Sequence, residues 1–214
     1  GQGLAGTPIG PLWDQAAKAA ASALGDFTAS SEFAVLSNQQ AVEFTAANVA
    51  VRSGSGAVLT SGPNSRLMAA MDKGELTWTA DGPWALQGGG LPQLTADVKR
   101  ASNGRVQGHL SMAPYVAGGA MLAMDRLQIS GSGDGSYRFQ SKIRLSGPVG
   151  DGRVESADLP LSGQWSKNGV LALDGGCHAL SAQSLSVAGY RLQNPSVSLC
   201  SAPQRPLLAY GPNG

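Results

Sequence analysis

Charge is the first thing this chain has little of. Only 14% of its 214 residues are charged, against ~25% in an ordinary globular domain. Its 15 basic and 14 acidic side chains leave a net charge of +1. So weak a field gives no long-range pull toward nucleic acid or an anionic membrane surface. Long hydrophobic runs are missing too. The best, Val116 to Met124, is broken by Gly118 and Gly119 and falls short of the ~20 residues that span a bilayer. No signal peptide opens the sequence and residue 1 is glycine, so a processed or excised piece is expected.

Residues that carry chemistry are equally few. There are 2 histidines and 2 cysteines. His109 falls on the polar face of a strand pattern, with no acid or nucleophile beside it in the sequence. His178 follows Cys177, but one Cys-His pair lacks the three or four ligands of a metal site. No Gly-x-Ser-x-Gly is present, and Asn194 precedes Pro195, which spoils the one candidate sequon. Gly131, Gly133 and Gly135 form a string that leads into a strand, not a helix, so no phosphate is cradled there. These absences point away from an enzyme and imply no catalytic residue, cofactor or metal. A carbohydrate-active sandwich is disfavoured because acids are not clustered.

Glycine is abundant, at 30 residues, and so is alternation. From Leu127 to Leu145 apolar residues take every second position on both sides of a glycine-rich turn: Leu127 and Ile129 before it, Tyr137, Phe139, Ile143 and Leu145 after. A period of two with one wet face is the mark of half-buried antiparallel strands. A three-residue loop, Gly133-Asp134-Gly135, sets Ile129 opposite Phe139 and keeps the apolar residues together, whereas a two-residue loop mixes the faces. The same device predicts four more turns. Ala80-Asp81-Gly82 would pair Trp78 with Trp84 and Leu76 with Leu86. Ser102-Asn103-Gly104 would pair Val98 with Gly108, Ala96 with Leu110 and Leu94 with Met112. Gly150-Asp151-Gly152 would set Leu145 against Ala157 and Ile143 against Leu159, with Leu161 on the same face. Lys167-Asn168-Gly169 would pair Trp165 with Leu171. Gln107, His109, Gln128 and Lys142 fall on the opposite, polar face.

The only convincing helix opens the chain. Pro11 suits a first turn, and Leu12 to Leu24 is rich in alanine and free of β-branching. Gly25 is a natural stop. Leu12, Trp13, Ala16, Ala20 and Leu24 can share one stripe. Such a helix either caps the end of a sheet or serves as a lid or partner-binding element. Strand patterns follow, with Phe27, Phe33 and Val35 in one and Val42 and Phe44 in the next. The parity changes between Phe44 and Val49, which predicts a bulge through Ala46-Ala47-Asn48. Ala57 to Ser61 reads as a short strand. Arg66 to Lys73 fits a helical turn or an edge segment. Four segments result: a helical segment 1–25, first strands 26–73, an antiparallel meander 74–174, and a C-terminal hairpin and tail 175–214.

Cys177 and Cys200 bracket two strand-like runs, Gln183 to Val187 and Ser196 to Leu199, so a hairpin can bring them together. Two cysteines outside any Cys-x-x-Cys pattern suggest one disulfide and an oxidising compartment. Two buried free thiols are the competing reading. The apolar face poses a larger question. At least eight strands between Gly74 and Asp174, at ~4.8 Å spacing, make a face close to 40 Å wide. One helix ~10 Å wide and about 20 Å long shields only part of it. Either the sheet packs on itself, or an apolar ligand meets the rest.

Three stretches carry a resemblance: Ala113 to Ala120 (APYVAGGA), Gly147 to Val154 (GPVGDGRV), and the tail from Cys177 through Ser184-Leu185 and Ala188-Gly189-Tyr190-Arg191-Leu192 to Leu199-Cys200. Together they resemble the YdbH-type proteins of the AsmA-like, bridge-like lipid-transfer superfamily, over about the last half of the chain. The resemblance implies an all-β fold: a long meander folded over as a β-taco or open sandwich, with one N-terminal helix. It implies an apolar groove that carries phospholipid acyl chains between the inner and outer membranes of Gram-negative bacteria. It also implies a periplasmic location with an inner-membrane anchor in a region not in this chain. Candidate groove residues are Phe27, Phe33, Val35, Val42, Phe44, Leu76, Trp78, Trp84, Leu86, Leu94, Val98, Leu110, Met112, Leu127, Ile129, Tyr137, Phe139, Ile143, Leu145, Leu159 and Leu161. Phospholipid is the expected partner, other envelope proteins are further candidates, and nucleic acid is not expected. The alternative is a structural or adhesive β scaffold with no ligand.

Overall fold

The computed structural model describes residues 6–37, 41–72 and 75–211. Among these residues, sixteen strands join into one antiparallel sheet, preceded by one helix.

Helix α1 spans Ile9–Gly25. After Ile9 it holds no β-branched residue, and Pro11 lies in the first turn, where a missing N–H costs nothing. Asp26 then turns to extended backbone, φ −153°. The inward stripe is not quite the expected one. Leu12 and Ala19 are buried and Ala16 packs beside them, but Trp13 is 59% exposed and Leu24 is exposed as well. Trp13 is one residue on from Leu12, about 100° around the axis, and a bulky ring on that flank has nothing to enter. Small residues let the helix approach closely instead: a Cβ at Gly118 would stand 2.6 Å from Pro11 Cβ.

Strand β1 (Phe27–Ser37) pairs with β2 (Ala41–Ser53). Their register slips between Ser30, opposite Ala50, and Glu32, opposite Ala47. Asn48 sits in that slip at φ +49°. This is the bulge that the parity change predicts, and it keeps apolar residues on one face on both sides.

Strands β3 (Val58–Ser61) and β4 (Arg66–Asp72) lie one after the other beside β2. Arg66 to Asp72 is therefore a strand inside the sheet, while Lys73 and Gly74 lie outside the described residues. The next strand, β5 (Glu75–Gln87), runs straight past both. The turn expected at Ala80-Asp81-Gly82 does not exist. Trp78 sits opposite Ala69, and Trp84 lies between Ser61 and Ala96. Leu76 faces Met71, and Leu86 lies between Leu59 and Leu94. Gly82 still takes a positive φ of 105°, but as a local twist within the strand. β4 occupies the place of the partner that a hairpin would have supplied.

The meander continues through β6 (Leu94–Arg100), β7 (Arg105–Ala117), β8 (Ala120–Ser132), β9 (Tyr137–Val149), β10 (Gly152–Trp165) and β11 (Leu171–Leu173). Seven strands thus cover the stretch expected to hold at least eight, because β5 is one strand and not two. The other registers hold. Val98 faces Gly108, Ile129 faces Phe139, and Trp165 faces Leu171. Between β9 and β10 the expected pairs Leu145–Ala157 and Ile143–Leu159 form, but the loop differs. Gly152 pairs with Val149, so the turn is one residue tighter, and a bulge at Ser156, φ +51°, restores the register.

The tail forms β12 (Cys177–Ser181), β13 (Ser184–Val187), β14 (Tyr190–Gln193), β15 (Ser196–Cys200) and β16 (Leu208–Tyr210). β12 and β13 both pair with β10, and β16 adds to β11. Cys177 and Cys200 are direct partners across β12 and β15 and form a disulfide, S–S 2.03 Å. The β13–β14 hairpin lies nested between them in sequence.

The sheet must curve. Seven inter-strand steps separate β1 from β9 along the sheet, an arc of roughly 34 Å at ~4.8 Å per step. Yet α1 reaches both ends. Leu12 shares a buried cluster with Leu145 of β9, while Leu24 lines a cleft with Phe27 of β1. Leu12 and Leu24 are about 18 Å apart along the helix axis. With side-chain reach added at both ends, the chord is still shorter than the arc. The apolar face is therefore concave, and α1 closes one end of a trough.

Candidate functional site

The trough is built by alternation carried from strand to strand along the sheet. Across the ladders, apolar side chains meet apolar ones: Val35, Phe44, Ala69 and Trp78 form one row, and Gly82, Val98, Gly108, Ile129, Phe139, Gly163, Leu173 and Leu208 form another. All the predicted groove residues lie on this one face. The bulges in β7, β8 and β10 slip the register without turning the face over, so Met112 still meets Met124, and Met124 meets Ile143.

Burial along the trough is uneven. At the helix end Leu12, Tyr115, Ala117, Ala120 and Leu145 form a closed cluster. Tyr115 brings its hydroxyl in without a desolvation loss by donating to the Gly90 carbonyl, 2.8 Å. Beside it, an apolar cleft of about 360 Å³ separates the C-terminal half of α1 from Val51, Leu59, Leu86 and Leu91. Through the middle, Leu94, Val98, Leu110, Met112, Leu127, Ile129, Phe139, Ile143, Leu159 and Leu161 are half-buried. At the far end the face is open: Phe33 is 68% exposed, Leu76 64% and Phe44 40%, with Val35, Val42, Met71 and Trp78 exposed beside them. The rings of Phe33 and Phe44 stack at 6.0 Å, leaving one side of each uncovered.

Among the described residues, Arg100 brings a charge to this face. Arg100 closes β6 opposite Ala80 and Val106. Its guanidinium lies 3.7 Å over the Trp78 ring and donates to the Trp78 carbonyl. A weakly hydrated, delocalised cation on an indole face tolerates such a site better than an ammonium would. The ion pairs of Asp158 belong to the outer face. Asp158 accepts from Lys142 Nζ at 2.9 Å and Arg144 Nε at 3.0 Å, and these bonds hold its carboxyl below the usual aspartate range. His109 lies on that face against Arg126. His178 bonds the Asp174 carbonyl. Among the described residues, no three His, Cys, Asp or Glu side chains gather as a metal site requires.

The chain matches no family model, no curated protein and no solved structure. The trough therefore has to be interpreted from its own chemistry.

Sequence reasoning missed part of it. Leu67, Ala69 and Met71 of β4 line the face, and so do Leu173, Leu208 and Tyr210 at the opposite side of the sheet. The alternation in Leu67, Ala69 and Met71 was a usable signal. It was masked by alanine and methionine, which favour helix as readily as strand.

Proposed function

We propose that this chain is the lipid-carrying segment of a cell-envelope transfer protein, with acyl chains lying in the trough and headgroups in water. The observation that carries the reading is the uncovered length of the apolar face. β5 has 13 residues, or about 44 Å at ~3.4 Å per residue. A helix ~10 Å across closes one end of it. Some ~30 Å remains, close to the hydrocarbon thickness of a bilayer. Each buried CH₂ would contribute about 0.8 kcal/mol, so an acyl chain needs no specific polar contact to stay. The action is passive, and no residue takes part in bond chemistry.

The Cys177–Cys200 disulfide fits an oxidising, non-cytoplasmic compartment. No helix among the described residues is long and apolar enough to cross a membrane. The resemblance of the Ala113–Ala120, Gly147–Val154 and C-terminal stretches to YdbH-type proteins supports a narrower reading: phospholipid as cargo, the periplasm as location, and an inner-membrane anchor supplied from outside this chain. The test is mass spectrometry of lipids extracted from protein purified without detergent. Stoichiometric phospholipid is expected. Protein that stays folded and monodisperse with no bound lipid supports the ligand-free scaffold instead.

A further inference from the structure

We infer that β1 is a docking edge for a second copy of this chain, pairing antiparallel with its own counterpart in a single register. β1 is a terminal strand: among the described residues it pairs with β2 alone. All eleven of its residues are exposed. Natural edges are usually defended by lysine, proline, a bulge of their own or brevity. β1 has none of these. Its sequence, FTASSEFAVLS, holds one charge, Glu32, and neither proline nor glycine. The bulge opposite Ser31 belongs to β2, so β1 itself stays regular.

The backbone dictates which residues can meet a partner. Gly54 donates to the Asp26 carbonyl at 3.0 Å, directly across the ladder. In an antiparallel pair such hydrogen-bonded positions alternate. Even-numbered residues of β1 therefore turn their N–H and C=O toward β2, and odd-numbered ones turn them to the free edge. A partner strand has to match odd with odd. Odd positions are also the trough side, where Phe27, Ala29, Phe33 and Val35 stand. Ser31 and Ser37 share that side. Any allowed self-pairing thus keeps trough-side residues together and joins the two troughs on the same face, but only some registers set apolar beside apolar.

Among the allowed registers one is self-complementary. Centred on Ser31, it sets Phe27 against the partner's Val35 and Ala29 against the partner's Phe33, with Glu32 across from the partner's Ser30. Moving the centre one residue to Glu32 sets that carboxylate against its own copy, which is unfavourable for directly opposed like charges. Moving it back one residue faces Ala29 with the partner's Ser31. A dimer of this kind is isologous, as two-fold symmetry requires. The inference stands whether or not the trough carries lipid.

Sedimentation of the full chain at tens of micromolar tests it, together with Ser31→Pro. Proline at this position removes an N–H that points to the free edge and leaves the β2 ladder intact, as edge strands allow. Twice the chain mass is expected for wild type and a single chain mass for Ser31→Pro, with unchanged circular dichroism and melting. A short bis-maleimide should link Ser31→Cys into covalent dimers and leave Ser37→Cys unlinked, because the latter lies roughly 40 Å from its own copy in this register. A wild-type monomer at 100 µM overturns the inference. So does a folded Ser31→Pro dimer, or linkage at Ser37→Cys equal to that at Ser31→Cys.

Discussion

Leu12 of α1 and Leu145 of β9 share one buried cluster, at 4% and 8% exposure, where the helix meets the inner face of the sheet. That contact fixes one end of the chord across which the sheet curves. Leu12→Ala should cost about 2–5 kcal/mol, the range for a truncated buried leucine. Urea unfolding measures it. A midpoint within error of wild type would mean that α1 is not docked where it is described.

The disulfide closes a 23-residue separation and should contribute about 3 kcal/mol by restricting the unfolded chain. Its effect should be local. β12 and β13 touch β10 through short ladders only, at Asp158–Ser181 and at Arg153 to Glu155. In a Cys177→Ser, Cys200→Ser variant, limited proteolysis should cut between residues 176 and 201 first and leave β5 to β10 protected. Loss of the whole sheet at the same protease dose would show that the hairpin is part of the core unit.

The β8–β9 turn separates two costs of replacing glycine. Gly133 and Gly135 both have positive φ, +97° and +87°. A Cβ at Gly133 would also stand 2.5 Å from the Asn103 carbonyl oxygen, whereas at Gly135 the nearest atom is the Lys167 Cβ at 3.3 Å. Strain alone is worth about 1–3 kcal/mol. Gly135→Ala should fall within that range and Gly133→Ala beyond it. Equal losses in chemical denaturation would mean that the contact with the β6–β7 turn is not made.

These particular residues also show what can be read without coordinates. The parity of apolar residues located the Gly133-Asp134-Gly135 turn, the Asn48 bulge and almost every groove position, because burying one face allows only one register. The same rule misled at Ala80-Asp81-Gly82. There Trp78 and Trp84 lie on one face whether the strand turns or runs on, so parity is silent. The deciding fact is a neighbour, β4, whose alanines and methionines favour no single structure. Curvature was not legible in the residue pattern, and was expected only from the resemblance. It follows from α1 touching both Leu145 and the Phe27 cleft, which are far apart in sequence and distinct only in three dimensions.

On the outer face, Asp158 gives a pH dependence of known sign. Bonds from Lys142, first, and Arg144 lower its carboxyl below the usual 3.8. A lowered carboxyl binds its proton less readily in the folded state, so the stability it adds is present above the usual value and lost as pH falls through the lowered one. Wild type should lose its advantage over Asp158→Asn as pH falls below the usual 3.8. The side chains are 48%, 49% and 25% exposed for Lys142, Arg144 and Asp158, so the difference should be under about 1 kcal/mol and shrink in salt. An advantage that grows on acidification contradicts the assignment.

The central claim is that the concave apolar face is open to lipid, and site-specific photo-crosslinking in cells tests it most directly. Probes replace Phe44, Leu110, Ile129 and Ile143 on the trough face, and Gln107, Gln128 and Lys142 on the outer face. Ile143→Asp provides a second arm, because an ion against hydrocarbon is costly, with a thermal melt to confirm that the variant folds. The account predicts phospholipid adducts at the trough positions and none at the outer ones, alternating along each strand, and loss of bound lipid in folded Ile143→Asp. Silence at every trough position, together with a folded Ile143→Asp protein that still carries lipid, would contradict it.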